Sequence, residues 1–213
     1  MSNVNAVTEP TTISYALLGL LAIRSFTGYE LTQQYSRSLR YVWPMSEGHI
    51  YREQTRLVGR GWATVEEERV GRRTRKRYSI TPAGRRALRQ WLSTEPSPPG
   101  LDIEGALRLH FADHGDRKAA VAALRATADH ARAGVEQMLD MVEDYLKTGG
   151  PFPERLHIIA LGADGISRLL GAIEAFFEEA ADEVETWPTT RNLGLTDAAR
   201  RRLEAILERG ARR

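Results

Sequence analysis

The order of elements restricts this chain most. A compact helical stretch leads into a short basic hairpin, Trp62 to Ile80, and then into a helix opening at Thr81-Pro82. Five of the six residues from Arg72 to Arg77 are cationic, and Gly71 before them can turn the chain. Few small folds place three helices, a charged two-stranded wing and a fourth helix in that order.

Each element has a local cause. Thr11 or Thr12 can cap a first helix in which Tyr15, Leu17, Leu18, Leu20, Leu21 and Ile23 make a nearly all-round apolar segment, as a central helix needs. A second helix begins near Gly28 and runs to about Leu39. Pro44 disfavours helix at Trp43, so 41–44 reads as a loop. Ser46 is a good N-cap for a third helix, about Glu47 to Val58, with Ile50 and Leu57 on one face. Tyr51, Arg52, Thr55 and Arg56 lie largely off that face. Trp62 to Val70 and Thr74 to Ile80 pair around Gly71, and the second strand alternates in strand fashion. Thr81 and Pro82 suit the cap and first turn of a fourth helix carrying Ala87, Leu88, Trp91 and Leu92 to the core.

Glu95-Pro-Ser-Pro-Pro-Gly100 is a stiff connector, which divides the chain into 1–95 and 96–213. The remainder reads as helical: about Ile103 to His114, then Asp116 to Lys147, a break at Gly149 to Pro153, another long helix ended by Pro188, and a short amphipathic tail from Ala198 to Arg209. Both long helices keep a seven-residue spacing. Val121, Ala128, Val135 and Val142 run beside Leu124, Ala131, Met138 and Tyr145. Ile159, Ile166 and Ile173 run beside Leu170 and Phe177. These seams predict antiparallel neighbours that pair with a second copy, the dimerisation set being Val121, Leu124, Val135, Met138, Val142, Ile159, Ile166, Leu170, Ile173 and Phe177. The fold expected is mainly α: an N-terminal winged helix-turn-helix with a two-stranded wing, and a C-terminal antiparallel helical dimerisation domain.

Charge sharpens the division. Residues 1–95 hold 15 Lys/Arg against 8 Asp/Glu, and residues 96–213 hold 15 against 20. A basic front half beside an acidic back half confines any polyanion contact to the front. The chain has no cysteine, which excludes disulfides and thiol-based metal or redox sites and fits a cytoplasmic protein. No uninterrupted apolar run approaches the roughly 18 residues that span a membrane, and Met1 to Pro10 lacks the pattern of a signal peptide. No membrane partner is expected.

Particular residues sharpen the winged-helix pattern further. Tyr15-Ala-Leu-Leu-Gly-Leu-Leu-Ala22, Gly28-Tyr29-Glu30-Leu31, Gly48-His49-Ile50-Tyr51 with Leu57 and Gly61, Tyr78-Ser-Ile-Thr-Pro-Ala-Gly84 and Trp91-Leu92 occur in order across 13–92. This set resembles the PadR family of bacterial transcription regulators, and the C-terminal helices resemble the dimerisation domain of its longer members. The resemblance implies a homodimeric repressor that binds duplex DNA and is often released by a small molecule, here of unknown identity. It makes the third helix the recognition helix, Tyr51 a backbone-contacting tyrosine, and Arg72 to Lys76 the wing. Three positions depart from the family's usual pattern: His49 replaces a small hydroxyl residue, Arg52 a proline, and Gln54 an apolar residue.

The chemistry agrees with such a role. The N-terminal residues of a groove-binding helix reach base edges, here Ser46, His49, Tyr51 and Arg52. Arg52 can grip guanine with two hydrogen bonds, while Tyr51 and Thr55 suit phosphate. Tyr51 is equally suited to half-buried packing. Arg56 and the wing cations Arg72, Arg73, Arg75 and Lys76 complete the DNA-binding set and would supply salt-sensitive affinity. Glu66-Glu67-Glu68 would repel phosphate, which places it at the wing's base or outer face.

Other patterns carry less. His110 and His114 have a metal-compatible helical spacing, but the glutamate of the metalloprotease signature is missing, so two surface or interface histidines are expected. Gly162-Ala-Asp-Gly165 lacks the lysine and the preceding strand of a phosphate loop. Phe176, Phe177 and Trp187 fit core or interface better than an effector pocket. No enzyme, cofactor or metal is expected. The alternatives are a winged-helix module that binds protein and never DNA, and an effector sensor acting chiefly through its helical half.

Overall fold

The computed structural model describes residues 9–70 and 73–212, and of Val70 and Arg73 only the backbone. The chain divides into two compact units, the second beginning at Gly100.

In the first unit the elements run α1 (Thr12–Ile23), β1 (Phe26–Thr27), α2 (Gly28–Ser38), α3 (Glu47–Gly59), β2 (Ala63–Val70), β3 (Arg73–Ile80) and α4 (Pro82–Leu92). The core gathers where the apolar sequence of α1 requires it. Leu17, Leu18, Leu20 and Leu21 are buried with Phe26, Leu31, Tyr35, Ile50 and Leu57. Tyr35, from α2, donates its hydroxyl to the Trp43 carbonyl at 2.9 Å and so fixes the loop before α3. Tyr15 stacks on Trp91 with ring centroids 5.0 Å apart and also meets Trp62, which ties α1 to α4. Leu92, expected in the core, is exposed. It falls one residue past the 84, 87–88, 91 stripe, at the last position of α4.

The sheet has three strands in the order β1-β3-β2, all antiparallel. The third strand, β1, is too short to leave an alternating pattern in the sequence. Thr27 belongs to β1 and is also the N-cap of α2. Its Oγ1 accepts from the Glu30 amide at 3.3 Å, and its own amide donates to Glu30 Oε2 at 2.8 Å. The capping box therefore joins the sheet edge to the start of α2. At Gly84 in α4 a Cβ would lie 2.2 Å from the Trp62 carbonyl oxygen, so only glycine lets α4 approach the base of β2 this closely.

The second unit holds α5 (Glu104–His110), a 3-10 turn at 112–114, α6 (Arg117–Thr148), a 3-10 turn at 153–155, α7 (Leu156–Thr186) and α8 (Asp197–Ala211). Asp116 caps α6 by accepting from the Ala119 amide at 2.8 Å, and Gly149 ends it in the left-handed region at φ 80°. Long helices α6 and α7 form an antiparallel hairpin. At its base Leu124 and Ala128 interlock with Phe177, Ala180, Ala181 and Val184, and Ile103, Ala106 and Leu109 pack over them from α5 and the residue before it.

This core corrects the reading of the seams. Leu124 and Phe177 are each 1 % exposed within one chain, and Val121 and Ile173 pack against the same cluster. Their periodicity is real, but the helix opposite is the chain's own, so a partner copy cannot reach Leu124 or Phe177. Ile159, Ile166 and Leu170 share this face and are half-buried, as are Val135 and Met138; Val142 is more open. Sequence spacing reports that a partner exists without saying which molecule supplies it.

A second correction concerns hydropathy. The stretch Pro153–Thr186 contains an 18-residue window of mean hydropathy 1.4, none of it buried, which is long and apolar enough by composition to cross a membrane. The sequence concealed it because Asp164 and Arg168 interrupt the run. Those two charges meet each other at 3.0 Å, one turn apart.

Candidate nucleic-acid interface

The proposed recognition helix is oriented by a buried polar cluster. Glu53 of α3 is 3 % exposed. Its Oε1 accepts from the Ser14 hydroxyl of α1 and lies 3.5 Å from the Arg60 guanidinium, whose side chain is 7 % exposed. Its Oε2 lies 3.2 Å from Arg56. A carboxylate this buried persists only with such partners. Gln54, on the next position, is also buried, and its amide donates to the Gly28 carbonyl at 3.1 Å and to Thr32 Oγ1 at 3.2 Å. The departure from an apolar residue is thus partly satisfied; among the described residues the Gln54 Oε1 acceptor and one Arg60 nitrogen have no hydrogen-bond partner. Together Glu53 and Gln54 pin α3 to both α1 and α2.

With that face fixed, the other side of α3 is open. Ser46, His49, Tyr51, Arg52, Thr55 and Arg56 are all exposed. Ser46 holds the N-cap position without capping: its hydroxyl lies 3.2 Å from His49 Nδ1 instead. The amides of the first turn therefore gain no hydrogen bond from it. Tyr51, 42 % exposed, borders Gly28, so it combines partial packing with a free outer edge. Thr55 turns its hydroxyl back to the Tyr51 carbonyl at 3.4 Å. The guanidinium of Arg56 remains about half exposed despite its contact with Glu53.

The wing divides its charges in a way that the sequence hides. Register places Glu66 opposite Arg77, Glu67 opposite Lys76 and Glu68 opposite Arg75. The glutamates therefore run along β2 itself and are not confined to the base. Arg77 is spent: it binds Glu68 at 2.8 Å and Glu30 at 3.7 Å. The hydrogen bond from the Thr27 amide, helped by the nearby Arg77, lowers the Glu30 pKa despite some desolvation. Arg75 and Lys76 are exposed and form no ion pair among the described residues. Arg72 lies outside the described residues, and Arg73 is known only by its backbone. The residue pattern leaves Arg77 out of the DNA-binding set without saying what holds it; the two-residue stagger that lets it reach Glu68 needs a register.

The remaining histidines do not converge. His110 Nδ1 lies 3.1 Å from the Ala106 carbonyl oxygen, and His114 falls in the 3-10 turn beyond α5, so the helical spacing is lost. Among the described residues no group of three metal-ligating side chains occurs. Phe177 is core, Trp187 packs beside it, and Phe176 meets Phe177 edge-on at 5.1 Å with its outer side exposed.

Residues 17–90 match the model of the transcriptional regulator PadR-like family. A probable transcriptional regulator of Mycobacterium tuberculosis is 33% identical over 143 residues, which cover 60% of this chain and 71% of that protein. The chain belongs to the PadR-like family of transcriptional regulators. The negative transcriptional regulator PadR of Bacillus subtilis is 30% identical over 101 residues, 46% of this chain and 56% of the relative, so this match spans little more than half of its length. Two crystal structures of Bacillus subtilis PadR share the fold. The complex with operator DNA has a TM-score of 0.65 at 21% identity, covering 82% of this chain and 99% of that one. The complex with p-coumaric acid has a TM-score of 0.58 at 21% identity with the same coverage. PadR-like membership accounts for the order of helices and wing, and these relatives are regulators of transcription.

Proposed function

We infer that the protein is a cytoplasmic, homodimeric repressor that binds a pseudo-palindromic operator and is released by a small-molecule effector. The observation that carries this is the open row on α3, from Ser46 to Arg56, standing in one unit with two wing cations that form no ion pair among the described residues. A helix of that kind enters the major groove with its N-terminal residues at base edges. Arg52 is assigned to base reading, His49 and Ser46 to the same edge, and Tyr51, Thr55 and Arg56 to phosphate. Arg75 and Lys76, with Arg72 and Arg73, supply sequence-independent attraction. In this reading the unit up to the connector binds DNA and the helical unit dimerises; no catalysis is assigned to either.

Dimerisation follows from what one chain leaves bare. Ile158, Leu161, Leu169 and Phe176 lie along one flank of α7, beside the face that meets α6, each between 45 % and 76 % exposed. An apolar stripe of this size on a soluble protein marks a protein contact. A second copy suits it better than lipid, because Asp164, Arg168 and Glu174 share the same helix. The dimer should set two recognition helices about one DNA turn apart, roughly 34–36 Å. Effector release is supported by the Bacillus subtilis PadR complex with p-coumaric acid; the chemical class taken by this chain is left open.

The test is a gel shift on DNA from upstream of the protein's own gene and its neighbour, at graded salt. Specific retention that weakens steeply with salt is expected. Arg52→Ala should relax preference at one base position of each half-site, whereas Arg75→Ala should weaken all sequences alike. Absence of duplex binding by a folded dimer would remove the proposal and favour a protein-binding module.

A further inference from the structure

Three elements of the first unit meet at one missing side chain. Gly28 opens α2, and a Cβ on it would lie 2.9 Å from Gln54 Oε1 of α3, 3.4 Å from Tyr78 Cε2 of β3 and 3.5 Å from Tyr51 Cε1 of α3. Each of those two ring atoms is bonded to the carbon that carries the hydroxyl. The phenol ends of Tyr51 and Tyr78 therefore converge beside Gly28, one from the recognition helix and one from the wing.

The convergence is held from each side. Pairing of Phe26 with Tyr78, and of Thr27 with Arg77, sets β3 against the residues that lead into α2. Gln54 donates its amide to the Gly28 carbonyl at 3.1 Å, which sets α3 against the same turn. A second bond, to Thr32 Oγ1 at 3.2 Å, keeps Gln54 from yielding to an added methyl group. Glycine at position 28 thus lets the two phenols share one small space.

The two phenols differ in exposure. Tyr51 is 42 % exposed and Tyr78 only 8 %. Burial raises the pKa of Tyr78, and the nearby Tyr51 raises it further, so this phenol keeps its proton at neutral pH. It is a buried donor that forms no hydrogen bond among the described residues. A hydroxyl so far removed from water is ordinarily paired. The Tyr51 oxygen is the acceptor that its end of the ring approaches. When Tyr51 gives its single proton to a phosphate, its lone pairs remain free to accept from Tyr78. Two hydroxyls in series also polarise one another, which strengthens the outer bond.

We propose that Tyr78 is a positioning residue for DNA binding: its hydroxyl donates to Tyr51 Oη and aims the Tyr51 proton at a phosphate oxygen between the recognition helix and the wing. This rests on the assignment of Tyr51 to phosphate and adds a second tyrosine that itself touches no DNA. The test is a double-mutant cycle in the full chain, with affinity for an operator duplex read by fluorescence anisotropy. Tyr51→Phe should weaken binding on the order of fivefold, and Tyr78→Phe on the order of threefold. The double variant should bind no more weakly than Tyr51→Phe alone. Phenylalanine keeps the ring at position 78, and thermal unfolding checks that the fold is retained. A role confined to the fold would act in the Tyr51→Phe background too, so losses that multiply overturn the relay. A Tyr78→Phe protein that binds like the parent also overturns it. If Tyr51→Phe has parental affinity, the phosphate contact and the relay fall together while the repressor reading stands. A parent that binds no duplex overturns that reading as well. A second readout is fluorine NMR of protein labelled with 3-fluorotyrosine. The Tyr51 resonance, identified by its loss in Tyr51→Phe, should move when operator is added and move less in Tyr78→Phe. An equal movement in both proteins overturns the relay.

Discussion

Arginines two residues apart on one strand should behave differently toward DNA. Arg75 is exposed and forms no ion pair among the described residues, while Arg77 is bound to Glu68 at 2.8 Å and to Glu30 at 3.7 Å. Counterion release gives a slope of log K against log salt of about −0.9 for each phosphate neutralised on duplex DNA. Each subunit of a dimer contributes one Arg75, so Arg75→Ala should make the slope shallower by about 1.8. Between 50 and 200 mM salt that difference amounts to roughly tenfold in relative affinity. Substituting Arg77 alone would free two carboxylates beside the duplex, so the proper comparison is Arg77→Gln with Glu68→Gln, which removes a cation and an anion together. That double variant should leave the slope within about 0.5 of the parent. Fluorescence anisotropy on one operator duplex, titrated at four or five salt concentrations, measures both slopes. An Arg77/Glu68 variant that loses as much slope as Arg75→Ala would show that Arg77 leaves its carboxylates to meet phosphate, and the division of labour along β3 would be refuted.

Further outcomes follow from the same contacts. Glu53→Ala strands the buried Arg60 and should cost about 3–5 kcal/mol in denaturant unfolding; a loss under about 1 kcal/mol would mean that the cluster does not hold α3. Gln54→Leu deletes an unsatisfied acceptor with its two hydrogen bonds, and stability should stay within about 1 kcal/mol of the parent. Gly84→Ala places a methyl against the Trp62 carbonyl and should destabilise by at least about 2 kcal/mol, with DNA affinity falling only as the folded fraction falls. Glu30 has a lowered pKa, so its contribution is complete above the unfolded carboxylate pKa and is lost as pH falls through the still lower folded value. Acid unfolding curves of the parent and Glu30→Gln should therefore converge below the ordinary carboxylate range and separate above it.

Much of the first unit could be read from residues alone. The apolar α1, the Thr81-Pro82 helix start and the two paired strands each rest on local physics that context seldom overrides, while Gly71, expected at the turn, lies outside the described residues. Three things were hidden, for different reasons. The strand β1 is two residues long, shorter than one period of alternation. Spending Arg77 on Glu68 depends on the register of two strands. The burial of Glu53 is illegible because its partner Ser14 lies 39 residues away in α1, and the partners that Gln54 needs at an apolar position, Gly28 and Thr32, lie in α2. In the second unit the heptads correctly announced two antiparallel helices, yet Leu124 and Phe177 turned inward to one another. Periodicity records a contact and is blind to the molecule that provides it.

Thr27 serves at once as a strand residue hydrogen-bonded to β3 and as the cap of α2, and Arg77 locks the same corner from across the sheet. The inner half of the wing can therefore not swing without unwinding the first turn of a helix that packs on α3. If the wing meets the duplex as proposed, an operator whose local shape would push the inner strands apart has to work against that capping box and the Glu68–Arg77–Glu30 contacts at once. Discrimination by duplex shape is therefore expected at the base pairs under the inner strands of each half-site.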